Sequence, residues 1–184
     1  MVAAGQELST TFQLRGDPNV KATAADYEAR HVAAKRAVEL QSQLNDMISA
    51  MRDLNQQVDG TLTSIEGKGL PNTPAIREQA SVAKDRLKAL DNETQRPPQG
   101  MGYRDWPRLV EQLRFVAQGI SGPQARPTNG QLEVLALVEQ ATQQRAAELT
   151  TIIDTVIAEL NRLLQGQPKI LTSWQSRRVI SMRQ

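Results

Sequence analysis

The sequence contains no cysteine and a single histidine. Without thiols there is no disulfide framework, no Cys-ligated zinc and no thiol nucleophile; the redox compartment stays open, because exported proteins can also lack cysteine. Sites built on two histidines are excluded, and any Ser-His-Asp chemistry would have to run through His31. Aromatic residues make up 3% of the chain, too few for a β-sandwich core or for the stacking platforms that read single-stranded nucleic acid. No stretch approaches the roughly 18 continuous apolar residues that cross a bilayer. Met1 to Gln6 lacks the basic and apolar regions of a secretory signal, so the chain carries no address of its own.

What remains is an ordinary soluble composition: 184 residues, 39% hydrophobic and 23% charged, enough for one core without staples. The net charge is +2, from 22 basic and 20 acidic residues, and it is unevenly placed. Residues 169–184 hold Lys169, Arg177, Arg178 and Arg183 and no acid, so the rest of the chain is mildly acidic. An arm of this kind suits phosphates or anionic lipid, but three arginines in a short terminal segment are more often a solvated or disordered end. The total gives no reason to expect specific nucleic-acid binding.

Residues Leu8 to Arg15 alternate, with Leu8, Thr10, Phe12 and Leu14 on one face, and predict a short strand stopped by Gly16, Asp17 and Pro18. A lone strand needs a partner. Either the segment around Lys169 to Thr172 or Val179 to Met182 supplies it, or the strand is the last of a sheet lying upstream.

From Thr23 the period lengthens to about three and a half. Thr23 with Asp26 has capping-box spacing, and the seam runs Tyr27, His31, Ala34, Val38, Gln41, Leu44, Ile48, Met51, Leu54, Val58, Leu62 and Ile65. Thr73 and Pro74 start a second helix, with Ile76, Ala80, Ala83, Leu87 and Leu90 inward and an end before Pro97 and Pro98. Asp105, Trp106 and Pro107 open a shorter third helix that turns Leu109, Leu113 and Val116 inward, and Gly119 is placed to close it. Thr128 with Gln131 caps a long fourth helix bearing Leu132, Leu135, Val138, Leu149, Ile152, Val156, Leu160 and Leu163, with Gly166 as its C-cap.

These patterns predict an all-α fold, an antiparallel up-down-up-down four-helix bundle of two long and two shorter helices preceded by one short strand. The first and last helices would form a long hairpin, returning the end of the fourth helix to the strand. The domain reading is 1–18 as strand and linker from an upstream β-domain, 19–168 as the bundle, and 169–184 as a basic tail.

Chemistry is sparse. His31 sits on the predicted seam near Glu28 and Lys35 with no metal or nucleophile pattern around it, which reads as packing. Asp46 with Asp53, or Glu148 with Asp154, are spaced along solvated helix faces rather than across a cleft, unlike the carboxylate pair of a glycosidase. There is no P-loop and no nucleophile elbow, and Gly100-Met101-Gly102 is too short for a nucleotide loop. Gln41, Asn45, Asn55, Thr142 and Arg145 interrupt or flank the apolar seams, as register-fixing polar residues or as the lining of a partner-facing groove. Tyr103 and Trp106 in the mid-chain loop read as a staple of that loop or as a binding platform. No residue reads as catalytic, cofactor-binding or metal-ligating; Tyr103, Trp106, Arg177 and Arg178 are the interaction candidates.

Three stretches carry a family resemblance. Phe12-Gln-Leu-Arg-Gly-Asp17-Pro18-Asn-Val20-Lys leading into Thr23-Ala-Ala-Asp26, then Tyr103-Arg-Asp-Trp-Pro107-Arg108-Leu109, then Pro127-Thr128-Asn-Gly-Gln131, resemble the C-terminal helical region of bacterial sortilin-like proteins of the BNR-repeat (Asp-box) glycosyl hydrolase type. In that family secreted β-propellers precede the helical region, and the resemblance spans roughly Phe12 to Gly166. It implies a periplasmic or extracellular module partnered with an upstream β-domain. No Asp-box pattern occurs here, so the resemblance carries over no catalytic residue, and the glycosyl hydrolase label would belong to the absent propeller. The function it implies is non-catalytic, structural or protein-binding; the alternative is a free-standing chaperone-like bundle that takes a partner helix in an open seam. An enzyme with its site in the Arg96 to Trp106 loop is the third class. The oligomeric state is not legible.

Overall fold

Thr23 opens the first helix as its spacing requires. Its hydroxyl accepts from the Asp26 amide at 3.2 Å, while the Asp26 carboxylate accepts from the Thr23 amide at 2.9 Å, so two orphan donors are satisfied reciprocally. The computed structural model describes residues 2–3, 6–7, 9–13, 15, 17–97, 106–172 and 174. The helices are α1 (Ala24–Ile65), α2 (Thr73–Thr94), α3 (Leu109–Ser121) and α4 (Asn129–Thr151), which runs through a π-helical stretch (Ile152–Ile157) into α5 (Ala158–Leu163). At the N-terminus β1 (Val2–Ala3) and β2 (Gln6–Glu7) pair antiparallel, Val2 opposite Glu7.

No strand is formed by the described residues of the predicted strand Leu8 to Arg15, and the alternative partner Val179 to Met182 lies outside the described residues. Phe12 is exposed, and Lys169 to Thr172 form no ladder with the segment. Alternation without an apolar surface to cover gives the segment nothing to bury.

Most helix ends follow the local signals, but α3 begins at Leu109 instead of at Pro107, with the Glu111 carboxylate accepting from the Arg108 amide at 3.0 Å. α1 spans 42 residues, about 63 Å at 1.5 Å per residue, and passes through Gly60. The Thr128 hydroxyl accepts from the Gln131 amide at 3.2 Å and the Gln131 side chain accepts in return at 2.9 Å, repeating the capping box at the start of α4. Gly119 does not close α3, which continues to Ser121. It lies where α3 meets α4 so closely that a Cβ would stand 3.0 Å from Nε2 of Gln131.

The arrangement of these helices differs from a four-helix up-down-up-down bundle. Asp59 of α1 meets Lys84 of α2, so these two are antiparallel. The carbonyls of Leu163 and Val156 accept from Asn72 and Gln79, and Glu93 meets Arg145, so α2 is antiparallel to α4 and α5 as well. It follows that α1 and α4 are parallel: Arg36 pairs with Glu139, and Lys68, just after α1, donates to Gln167, just after α5. The carbonyl of Ser121, at the end of α3, accepts from Arg30 near the start of α1, so α3 continues in the direction of α2. The molecule is therefore a three-rod bundle, with α1 and α4–α5 as long parallel rods and α2 and α3 in line as the broken third. The segment between α2 and α3 interrupts a rod instead of reversing the chain. The end of α5 consequently lies beside the end of α1, at the opposite pole from the N-terminal arm.

This packing also shifts the predicted seams. The buried row of α1 is Ala33, Ala37, Leu40, Leu44, Met47, Met51, Leu54, Val58 and Ile65. From Leu44 onward it joins the predicted row, but Tyr27, His31 and Val38 lie outside, Val38 69% exposed. Steps of three and four lead backward from Leu44 along two rows one residue apart, and the small Ala33 and Ala37 let the other rods approach. In the fourth rod the π stretch inserts one residue, so that Leu160 is buried as expected but Ile157 and Leu164 are buried where Val156 and Leu163 were expected to be. Each fully buried Leu or Ile contributes about 1.5–3 kcal/mol.

The first part of the C-terminal segment is docked. Ile170 is 3% exposed and Trp174 packs on the core, its indole donating to Thr150 Oγ1 at 3.3 Å. At Gly166, φ of +75° lets the chain turn back after α5.

Candidate functional site

Most residues that carried chemical expectations are accounted for by local structure. His31 is exposed on the outer side of α1. Asp53 accepts from Gln57 at 2.9 Å, Glu148 pairs with Arg145 at 3.0 Å, and Asp154 is exposed on the π stretch. Neither carboxylate pair faces a cleft. Among the described residues no three potential ligands gather to hold a metal ion, and no helix is long and apolar enough to cross a membrane. Tyr103, Arg177, Arg178 and the Gly100-Met101-Gly102 run lie outside the described residues.

Several interior polar residues lie along the middle stretch of the bundle. The ion pairs Arg36–Glu139 and Glu93–Arg145 set the levels of the rods, and at that level Gln43, Thr94, Glu139 and Thr142 are all buried. This is where α2 ends and the third rod is interrupted. Thr94 and Thr142 each donate to the carbonyl four residues back, at 2.8 and 2.7 Å, so their hydroxyls are satisfied within their own helices. Arg145 bridges Glu93 and Glu148. Of the other seam polar residues, Gln41 donates to Asn45 at 3.0 Å along the outside of α1, and Asn55 is half-buried. The side chains of Gln43, Thr94, Glu139 and Thr142 are buried between the rods near the end of α2.

A shallow depression of about 380 Å³ lies at the pole where α1 and α4 begin, lined by Lys21, Ala22, Asp26, Gln124, Ala125 and Arg126. Its one carboxylate is committed. The hydroxyl and amide of Thr23, with Arg126 at 4.0 Å, hold Asp26 below the usual aspartate pKa, so it stays ionised as a cap rather than acting as an acid.

The surface is more informative. Of the eleven large apolar side chains exposed among the described residues, eight lie on the half of the molecule built by α3 with the first halves of α1 and α4. On and before α3 these are Phe115, 80% exposed, and Trp106, 84% exposed. On α4 they are Leu132, Val134 and Leu137, the last 64% exposed. Val134 shares a flank with Arg145, which faces the third rod through Glu93, so Val134 and Leu137 lie on the same side as Phe115. On α1, Tyr27 and Val38 border the flank that meets α3 through Arg30, and Val32 stands one turn from Arg36 beside the α1–α4 groove. The α2 half exposes only Val82 and Leu171. The exposed large apolar side chains are thus concentrated on one half of the molecule, where an interaction site is most readily sought.

Of the sequence candidates, Trp106 is the one that lies among the described residues, and it falls on this surface. Phe115 and Leu137 were missed because each stands opposite an apolar core row; the available signal was an apolar residue breaking the polar face of an amphipathic helix. Comparison with known proteins adds no relative to this picture: no family model, no curated protein and no solved structure matches the chain.

Proposed function

We propose that this chain is a non-catalytic helical module whose α3 half docks against another domain. The observation that carries the reading is the one-sided exposure of Trp106, Phe115, Val134 and Leu137, set against the near absence of large exposed apolar groups on the α2 half. The partner we propose is an upstream β-domain of a periplasmic or extracellular sortilin-like propeller protein. Its support is the resemblance in residues 12–26, 103–109 and 127–131, and the position of the N-terminal arm, which leads into α1 at the apolar pole.

Coding sequence tests the partner: an open frame continuing upstream of Met1 with Asp-box repeats supports it, and a ribosome-binding site directly before Met1 removes it. The surface is tested separately. Phe115→Glu with Leu137→Glu should abolish binding of an apolar dye at unchanged helicity, and unchanged dye binding would exclude this face.

A second reading rests on the outer row of α1. Tyr27 and Val38 are exposed along the flank of α1 next to α3, which suits a free-standing module taking a partner helix there. Loss of partner binding in Val38→Glu with Phe115→Glu harmless would select it.

A further inference from the structure

Between α1 and α5 the bundle is open: no Cα of α5 comes within 8 Å of α1. The extended segment after Gly166 fills this slot, and its backbone is gripped from both sides. Asn161 of α5 donates to the carbonyl of Ile170 at 2.8 Å and accepts from its amide at 2.8 Å. Gln57 of α1 does the same for Leu171, at 2.7 and 2.8 Å. In an extended chain the N–H and C=O of one residue point to one side and those of the next residue to the other. The two amide side chains thus act as the neighbouring strands that this segment lacks. Selectivity comes from two anchors, Ile170 driven into the core and Trp174 lying against it with its indole on Thr150; Leu171 points out, 71% exposed.

We propose that this slot is a main-chain-reading peptide site, and that its occupant in trans is residues 169–174 of a second copy, so that two chains join by exchanging tails. The contacts in the exchanged form are the same ones made within a single chain. What changes is the turn at Gly166 and the loss of intramolecular effective concentration, which is in the millimolar range for short connections. Exchange therefore rises when the turn is disfavoured. Gly166 holds φ at +75°, a conformation open to glycine and strained for a β-branched residue. An emptied slot stays open between α1 and α5, ready for a second tail.

Light scattering on the full chain tests this. Gly166→Val should raise the dimer fraction at least tenfold at a fixed concentration. Deleting Gln165 and Gly166, which leaves the segment too short to turn back, should do the same. Excess synthetic peptide of residues 168–174 should return either variant to monomer, and adding Gln57→Ala with Asn161→Ala should lower its dimer fraction at least tenfold. Variants that stay monomeric overturn the proposal. So does a dimer indifferent to both the peptide and the clamp substitutions, which would place the interface elsewhere. Phe115→Glu with Leu137→Glu, at the other pole, should leave tail exchange unchanged, so failure of the α3-half surface and failure of this site are distinguishable.

Discussion

Lys68, three residues beyond the end of α1, donates to Gln167, four residues beyond the end of α5, at 2.9 Å. Two long rods that finish side by side run in the same direction, and the whole topology follows from that pairing. An antiparallel hairpin of the same two rods would put these residues at opposite poles, on the order of 60 Å apart for a helix as long as α1.

The chain has no cysteine to interfere with cross-linking. Lys68→Cys with Gln167→Cys should therefore join efficiently through a short bis-maleimide, read as an intramolecular link by mass spectrometry. Tyr27→Cys with Gln167→Cys should not. The opposite outcome would restore the hairpin.

The two rows of α1 separate by stability. Leu40→Ala removes a fully buried side chain and should cost about 2–5 kcal/mol in urea unfolding. Val38→Ala, on the outer row, should stay within about 0.5 kcal/mol of the parent. Equal costs would mean that the predicted seam, not the observed one, faces the core.

Thr128→Ala removes the hydroxyl that accepts from Gln131 at the start of α4. It should cost about 1 kcal/mol, most of it recovered by Thr128→Ser. A Ser variant as unstable as the Ala variant would show that the hydroxyl is not the cap.

Acid sensitivity has a defined sign at Asp26. Its folded pKa is lowered, chiefly by the hydrogen bonds from Thr23, so the folded chain binds this proton less readily than the unfolded chain. The resulting stability is fully present above the ordinary aspartate pKa, roughly pH 4. It is lost as pH falls through the lower folded value. Asp26→Asn should flatten that part of a stability profile and leave the region above pH 6 parallel to the parent. Glu159, lowered by Arg162, acts in the same window, so the flattening is partial. A profile unchanged by Asp26→Asn would remove the cap from the account.

The parts of the fold that were legible are those decided within a few residues. Thr23 with Asp26 and Thr128 with Gln131 declare capping boxes by spacing alone, and Thr73 with Pro74 declares the start of α2. What escaped depends on residues far apart. Whether the stretch between Thr94 and Leu109 turns the chain or merely interrupts a rod is decided by what α3 meets, and Arg30 on the Ser121 carbonyl is 91 positions away. The one-residue insertion at Ile152–Ile157 leaves no mark in a sequence apolar on both sides of it. The clamp on the C-terminal segment comes from two ordinary amides, Gln57 and Asn161, that look like any solvated helix residues. The exposed apolar residues of the α3 half were partly legible: Trp106 stands out in its loop, whereas Phe115 is hidden among the core residues of α3.

The central claim, that the α3 half presents the apolar docking face, is tested most directly by photo-incorporation of bis-ANS into the full chain, with labelled peptides identified by mass spectrometry. Label should concentrate in α3 and in the first halves of α1 and α4, and should fall at least fivefold in Phe115→Glu with Leu137→Glu. Label confined to the α2 half, or spread evenly along the three rods, would contradict the account.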